Sequence, residues 1–209
     1  MIDLTKTYVA FATRCQDAIL DNGKHIKEIF ELSAVKIIDG KIVKNFSTFV
    51  NIKNKKLWQE SGCCEFVYGV YLEHLLGAPK IEGVMSEFFE FAKDAILMPY
   101  DSYTTTAIVH YTKENDIKLP NDFFRTTLLF DKYEDISNKV FVDYNELVTD
   151  IKECLEVKNI KDDTLGKAII LAKLFLYVAD AVKDDEEKDV IKIDTITYRS
   201  ALQYKQDID

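Results

Sequence analysis

A mixed α/β sheet flanked by helices is the architecture this sequence predicts, and three observations predict it. A short apolar run opens the chain, two β-rich runs follow on either side of an Asp-Gly pair, and helical periodicity then alternates with further strand signals. A three-strand antiparallel meander followed by helices and additional strands buries its apolar faces only as a sheet with helices packed on it.

The first strand is expected at Tyr8-Val9-Ala10-Phe11-Ala12, with a polar segment from Thr13 to Lys27 behind it. Ile29 to Ile38 and Lys41 to Ile52 form a hairpin, because Asp39-Gly40 supplies the positive φ angles of a two-residue turn. Val84, Phe88, Phe91 and Ala95 recur at helical spacing with charged residues between them. Ala95 to Met98 reads as a strand stopped at Pro99, and Ser102 to Asn115 as a helix. Asn121 to Phe130 fits either element. Asp143 and Glu146 have the spacing of a capping box, ahead of an apolar face made by Leu147, Val148, Ile151, Cys154 and Leu155. Thr164 to Val182 is a long helix, and Val190 to Asp209 either adds an edge strand or forms a tail.

Composition narrows the function classes. The 209 residues are 47% hydrophobic and 30% charged, which excludes a disordered or fibrous chain. Seven Gly and three Pro leave little room for linkers, so one domain is expected over residues 1–182, with a charged extension over 183–209. The 36 acidic residues outnumber 27 basic ones, for a net charge of −9. That balance argues against a non-specific nucleic-acid coat or an anionic-membrane binder, though a local patch could still meet phosphate. The start Met1-Ile2-Asp3-Leu4-Thr5-Lys6 lacks a signal-peptide pattern, and Ala168 to Val182 is too short for a membrane span. A cytoplasmic protein is expected. Cys15, Cys63, Cys64 and Cys154 form no C-x-x-C pair, and with three His in the chain no zinc site is expected.

The stretch Glu28-Ile29-Phe30-Glu31-Leu32-Ser33-Ala34-Val35-Lys36-Ile37-Ile38-Asp39-Gly40-Lys41-Ile42-Val43, continued by Phe46-Ser47-Thr48-Phe49-Val50-Asn51, resembles the second and third strands of DnaQ-like 3′–5′ exonucleases. These are relatives of the DNA polymerase III epsilon-type proofreading exonucleases, with a ribonuclease H-like fold. Tyr68-Gly69-Val70-Tyr71 stands where that family has a His-Gly-Ile-Thr turn, and Ala95-Ile96-Leu97-Met98 where its next strand leads to the second acidic motif. The resemblance runs from about residue 7 to 182. It implies metal-dependent phosphodiester hydrolysis, in which four carboxylates hold two divalent ions such as Mg or Mn and a His serves as general base. Hard dications a few ångströms apart require oxygen ligands and negative charge.

This sequence departs from the pattern at every motif position. Ala12 and Arg14 occupy the places of the first-strand Asp and Glu, and Thr105 that of the second-motif Asp. Asp162 replaces the His, and Lys167 replaces the last Asp. Four negative charges are lost and two positive ones gained, and such repulsion amounts to several kcal/mol even at a surface dielectric. No intact catalytic set, no metal and no cofactor are therefore expected. The remaining role is binding, either of a single-stranded nucleic-acid end or of a protein partner.

Arg14 and Lys167 can be read as a metal-free phosphate site with Tyr100 and Tyr103 as stacking faces. They can equally pair with acids such as Asp17, Asp101 or Asp162 in a dead cleft. The alternative enzyme uses shifted carboxylates drawn from Asp17, Glu31, Asp101, Asp162 and Asp163, although adjacent acids before a helix are ordinarily caps. Glu28 and Glu31 either project into the cleft or, as expected first, pair at the surface with Lys27. His25, His74 and His110 are expected to be structural or on the surface. Arg14 beside Cys15 favours a lowered thiol pKa, Cys154 is expected in the core, and Cys63-Cys64 in a loop. The acidic run Asp184 to Glu187 reads as a solvated face or as a docking signal for a basic partner.

Overall fold

The computed structural model describes residues 2–19, 25–55, 58, 69–119, 121–183 and 195–196. Its three opening strands are β1 (Tyr8–Ile19), β2 (His25–Ile38) and β3 (Lys41–Phe49). β1 runs well past the expected Ala12, because antiparallel pairing with β2 continues through a register shift at Arg14/Cys15 as far as Ile19 opposite His25. The hairpin turn is as expected, with Asp39 at φ 49° and Gly40 at φ 69°, both in the left-handed region that a type I′ turn needs.

The helical half follows with α1 (Leu72–Leu76), α2 (Ile81–Phe91), β4 (Ile96–Pro99), α3 (Ser102–Glu114), β5 (Phe123–Phe124), α4 (Thr127–Ser137), α5 (Tyr144–Cys154) and α6 (Thr164–Ala181). A last pair, β6 (Thr195–Ile196), lies antiparallel to β5 at the sheet edge. The ambiguous stretch 121–130 thus resolves into a two-residue strand and a helix start. The sheet order is β3-β2-β1-β4-β5-β6, with β4 parallel to both β1 and β5. Helices cover both faces of this mixed sheet.

Strand alternation divides the core. Tyr8, Ala10 and Ala12 of β1, with Val35 and Ile37 of β2, face one side and pack with Ala168, Leu171, Phe175 and Val178 of α6. Val9, Phe11, Leu32 and Ala34 face the other, against Val84, Met85 and Phe88 of α2 and Ile108 of α3. A smaller cluster joins Phe30, Ile52, Trp58, Val70 and Leu75. The apolar α6 is a buried core helix, and among the described residues no helix is long and apolar enough to cross a membrane.

Two details differ from the expected pattern. The Asp143 carboxylate accepts from the backbone N–H of Asn145 and Glu146, but Glu146 reaches back to the N–H of Val142 rather than to the cap residue itself. On α5 only Leu147 and Ile151 are buried, and Cys154 is exposed, because the helix lies on the domain with a narrow stripe. Tyr68, Cys63, Cys64 and the acidic run 184–187 lie outside the described residues.

The start of α6 is tightly specified. Asp163 caps it by accepting the Gly166 N–H at 2.8 Å, and a Cβ on Gly166 would meet the Lys161 carbonyl oxygen at 1.9 Å. Gly166→Ala is therefore expected to cost about 1–3 kcal/mol in urea unfolding through overpacking. Asp163→Ala should cost about 1 kcal/mol through the lost cap.

Candidate functional site

The five positions that the resemblance singles out lie on segments that meet around the middle of β1, where Ala12 and Arg14 stand. Tyr100, just past β4, donates its backbone N–H to the Phe11 carbonyl at 2.8 Å, and Thr104 on α3 accepts the Thr13 N–H at 3.3 Å. Both contacts bring the start of α3, and with it Thr105, against β1. From the opposite side the segment entering α6 carries Asp162 and Lys167.

Ala12 contributes only a methyl group, 1% exposed and packed in the cluster that also holds Tyr100 and Ala168. Thr105 turns its hydroxyl back to the Asp101 carbonyl, 3.2 Å away within its own helix. Lys167 places Nζ 5.4 Å from the centroid of the Tyr100 ring, a cation–π distance. Tyr100 is 5% exposed and meets the Tyr144 ring edge-on at 6.4 Å. Burial first, and then neighbouring acids, raise the Tyr100 phenol pKa, so this phenol stays protonated.

Arg14 dominates the site. It stands at the register shift of β1, a bulge of the kind that re-aims a side chain. Its Nη1 donates to Glu31 Oε2 at 3.1 Å and its Nη2 to the Asp162 carbonyl at 2.6 Å, with both side chains of the ion pair close to nine-tenths buried. The other Glu31 oxygen accepts the Thr164 hydroxyl at 2.7 Å. Thr164 is in turn 2.6 Å from Ser33 Oγ, which is 2.8 Å from Ser47 Oγ. Each hydroxyl has one proton. Since Thr164 gives its proton to Glu31, Ser33 donates to Thr164 and Ser47 to Ser33. One directed chain thus joins β1, β2, β3 and α6.

The expected surface pairing of Glu31 with Lys27 is corrected by this arrangement. Lys27 instead pairs with Asp17 at 3.3 Å and lies 3.9 Å above the Tyr103 ring, whose hydroxyl also donates to Asp17 at 2.8 Å. Glu28 accepts the Asn54 N–H at 3.2 Å. Asp101 caps α3 through the Thr104 N–H, and Asp163 caps α6. The shifted carboxylates are therefore dispersed among separate partners. Among the described residues no group of three or more His, Cys, Asp or Glu is arranged to hold a metal ion. Ala12 offers a methyl, Arg14 a guanidinium, Thr105 a hydroxyl bonded back to its own helix and Lys167 an ammonium, and with Asp162 as the one carboxylate among them this set does not fit a pair of dications.

Of the histidines with described side chains, His74 stacks on Phe49 and His110 lies 3.5 Å from Glu114. The lowered Cys15 thiol pKa is also corrected: burial pushes it up to about 12 despite the lysine nearby. Sequence reasoning did not connect Ser33, Ser47 and Thr164 to the site. The available signal was period two in β2, which puts Glu31 and Ser33 on the α6-facing side with Val35 and Ile37.

Comparison with known proteins follows this geometry. The sequence profile of the RNase T exonuclease family matches residues 15–147, beginning just after Arg14 and ending before Asp162 and Lys167. A PolC-type DNA polymerase III of Caldanaerobacter subterraneus subsp. tengcongensis is 26% identical over 182 residues, covering 86% of this chain but 12% of the polymerase. Cell-death related nuclease 4 superposes with a TM-score of 0.62 at 12% identity, over 82% of this chain and 64% of that one. The nuclease domain of 3′hExo, a DEDDh family member solved with bound rAMP, superposes at 0.52 and 12% identity, over 85% and 92% of the two chains. At such identities the structures show a shared fold.

Breaking the ion pair from one side leaves a buried charge. Arg14→Met is expected to destabilise the protein by about 3 kcal/mol, and the double change Arg14→Met with Glu31→Gln to recover at least half of that in denaturant titrations. Thiol chemistry gives a second check. At pH 8, well below its pKa, native Cys15 should resist iodoacetamide while exposed Cys154 is alkylated, as peptide mass mapping would resolve.

Proposed function

This chain belongs to the RNase T exonuclease family, and we propose that within it the chain works by binding rather than by hydrolysis. The observation that carries the proposal is the Arg14 guanidinium held between Glu31 and the Asp162 carbonyl where the family's two-metal chemistry needs carboxylates. A fixed positive charge there opposes a dication and ties up the one buried acid of the site. The chain spans 12% of its polymerase relative, so any link to a larger assembly rests on analogy of fold.

A nucleic-acid end is the ligand favoured by a separate observation. Tyr103 is 58% exposed at the lip of the cleft, and Lys27 lies against its ring. That exposed ring offers the aromatic surface on which single strands stack, whereas Tyr100, 5% exposed and with Lys167 over it, is too buried to take a base. Arg14, engaged on both of its terminal nitrogens, serves as the wall of that cleft rather than as a phosphate clamp.

Purified protein incubated with 3′-labelled single-stranded DNA or RNA and Mg or Mn should release nucleotides no faster than a protein-free control. Robust metal-dependent shortening from the 3′ end would overturn the proposal. In the same preparation, affinity for an oligonucleotide should fall steeply between low and moderate salt. Tyr103→Ala should weaken binding about tenfold, the loss of roughly one stacked base. Absence of binding at low salt would exclude the nucleic-acid reading and leave protein binding.

A further inference from the structure

We propose that the groove between the 139–143 loop and α5 is a docking surface for a basic, apolar-bearing segment of a partner protein. It rests on the reading that this chain works by binding, and it names a class of partner. Three features meet there. The loop leads into α5, with Phe141 stacked on Tyr133 at a ring distance of 6.3 Å. Its neighbours Val140 and Val142 are 96% and 91% exposed. Two branched aliphatic side chains flanking an anchored aromatic, almost wholly in water, contribute nothing to the fold's own core.

The second feature is concavity. Loop and helix flank a wide, open groove of about 640 Å³ whose lining includes Lys139, Val140, Asp143, Glu146, Asp150 and Glu153. The third is charge. Glu146, Asp150 and Glu153 follow one another at spacings of four and three on one stripe of α5, an arrangement that costs an isolated helix a few tenths of a kcal/mol per like pair. Four carboxylates face one lysine in the lining. Local contacts offset part of this, since Asp150 takes the Tyr133 hydroxyl and Lys139, and Glu153 pairs with Lys158 at 3.2 Å. A field of this sign repels phosphate, so neither a nucleic acid nor an anionic membrane fits it. A second copy of a chain carrying a net charge of −9 fits it poorly for the same reason. A lysine- or arginine-flanked apolar segment satisfies both the valines and the carboxylates.

The position gives such docking a consequence. The loop ends at Tyr144, whose ring abuts Phe130 at 5.7 Å and Tyr100 at 6.4 Å, beside Lys167. A partner on this groove therefore lies next to the cleft.

The test uses a fluorescein-labelled amphipathic Leu/Lys peptide and its Leu/Glu counterpart, at near-physiological salt so that diffuse attraction is screened. Saturable binding of the Leu/Lys peptide alone is expected, with amide shifts concentrated in residues 139–153. The double variant Val140→Asp with Val142→Asp should bind about tenfold more weakly, although it is more acidic. Thermal unfolding of that variant, at positions already exposed, establishes that it is folded. Tighter binding by the variant would mean charge alone drives association and would overturn the proposal, as would shifts spread over the surface or no saturation. Concentration-dependent dimerisation abolished by the same variant would overturn it in favour of a second copy. The nuclease assay is independent: metal-dependent cleavage would overturn the binding role without altering the peptide result, and a failed peptide experiment would leave the inactive cleft intact.

Discussion

The buried pair of Arg14 and Glu31 is the constraint around which the cleft is organised. An arginine and a glutamate this deeply enclosed must satisfy their hydrogen-bonding groups, or desolvation costs several kcal/mol. The protein meets that demand with groups from separate elements: the Asp162 carbonyl ahead of α6, the Thr164 hydroxyl in its first turn, and through it Ser33 and Ser47 on neighbouring strands. The pair therefore fixes where α6 begins relative to the sheet. Its capping aspartate, Asp163, and the close packing at Gly166 fix the same point from the helix side.

This solution inverts the electrostatics of a two-metal centre. There, carboxylates repel one another until dications arrive, so the empty site is strained and the filled one stable. Here the cation is covalently part of the chain, and neutrality is reached without a ligand. The neighbouring acids follow the same logic. Asp17 is taken by Lys27 and Tyr103, Asp101 by the first turn of α3, and Asp163 by that of α6. Three of the carboxylates that might have been recruited thus already have local tasks.

The hairpin and the helix-strand rhythm were legible in the sequence because they depend on near neighbours: a turn pair, a spacing, a proline. The partner of Arg14 was not. Glu31 lies 17 residues away and Asp162 148 residues away, and the contact requires both the bulge at Arg14/Cys15 and the crossing of α6 over β2. The same is true of Cys15 and Cys154. Their burial is decided by which face of a long strand or a peripheral helix meets the core: periodicity put Cys154 in the core, and the neighbouring Arg14 suggested a lowered thiol pKa for Cys15, which burial raises instead.

Ala12 shows why this architecture is not one substitution away from a metal centre. Its methyl group is buried in the apolar cluster that also holds Tyr100 and Ala168, so a carboxylate introduced there alone would be desolvated. Restoring acidity at position 14 alone would set two carboxylates, residue 14 and Glu31, against each other across the strand pair with nothing to neutralise them. Each single step toward the family's ligand set thus costs stability before a second can compensate. The ion pair, the apolar packing at Ala12 and the hydroxyl chain through Thr164 meet where β1, β2 and α6 pack together, so a change at one of them is felt by the other two.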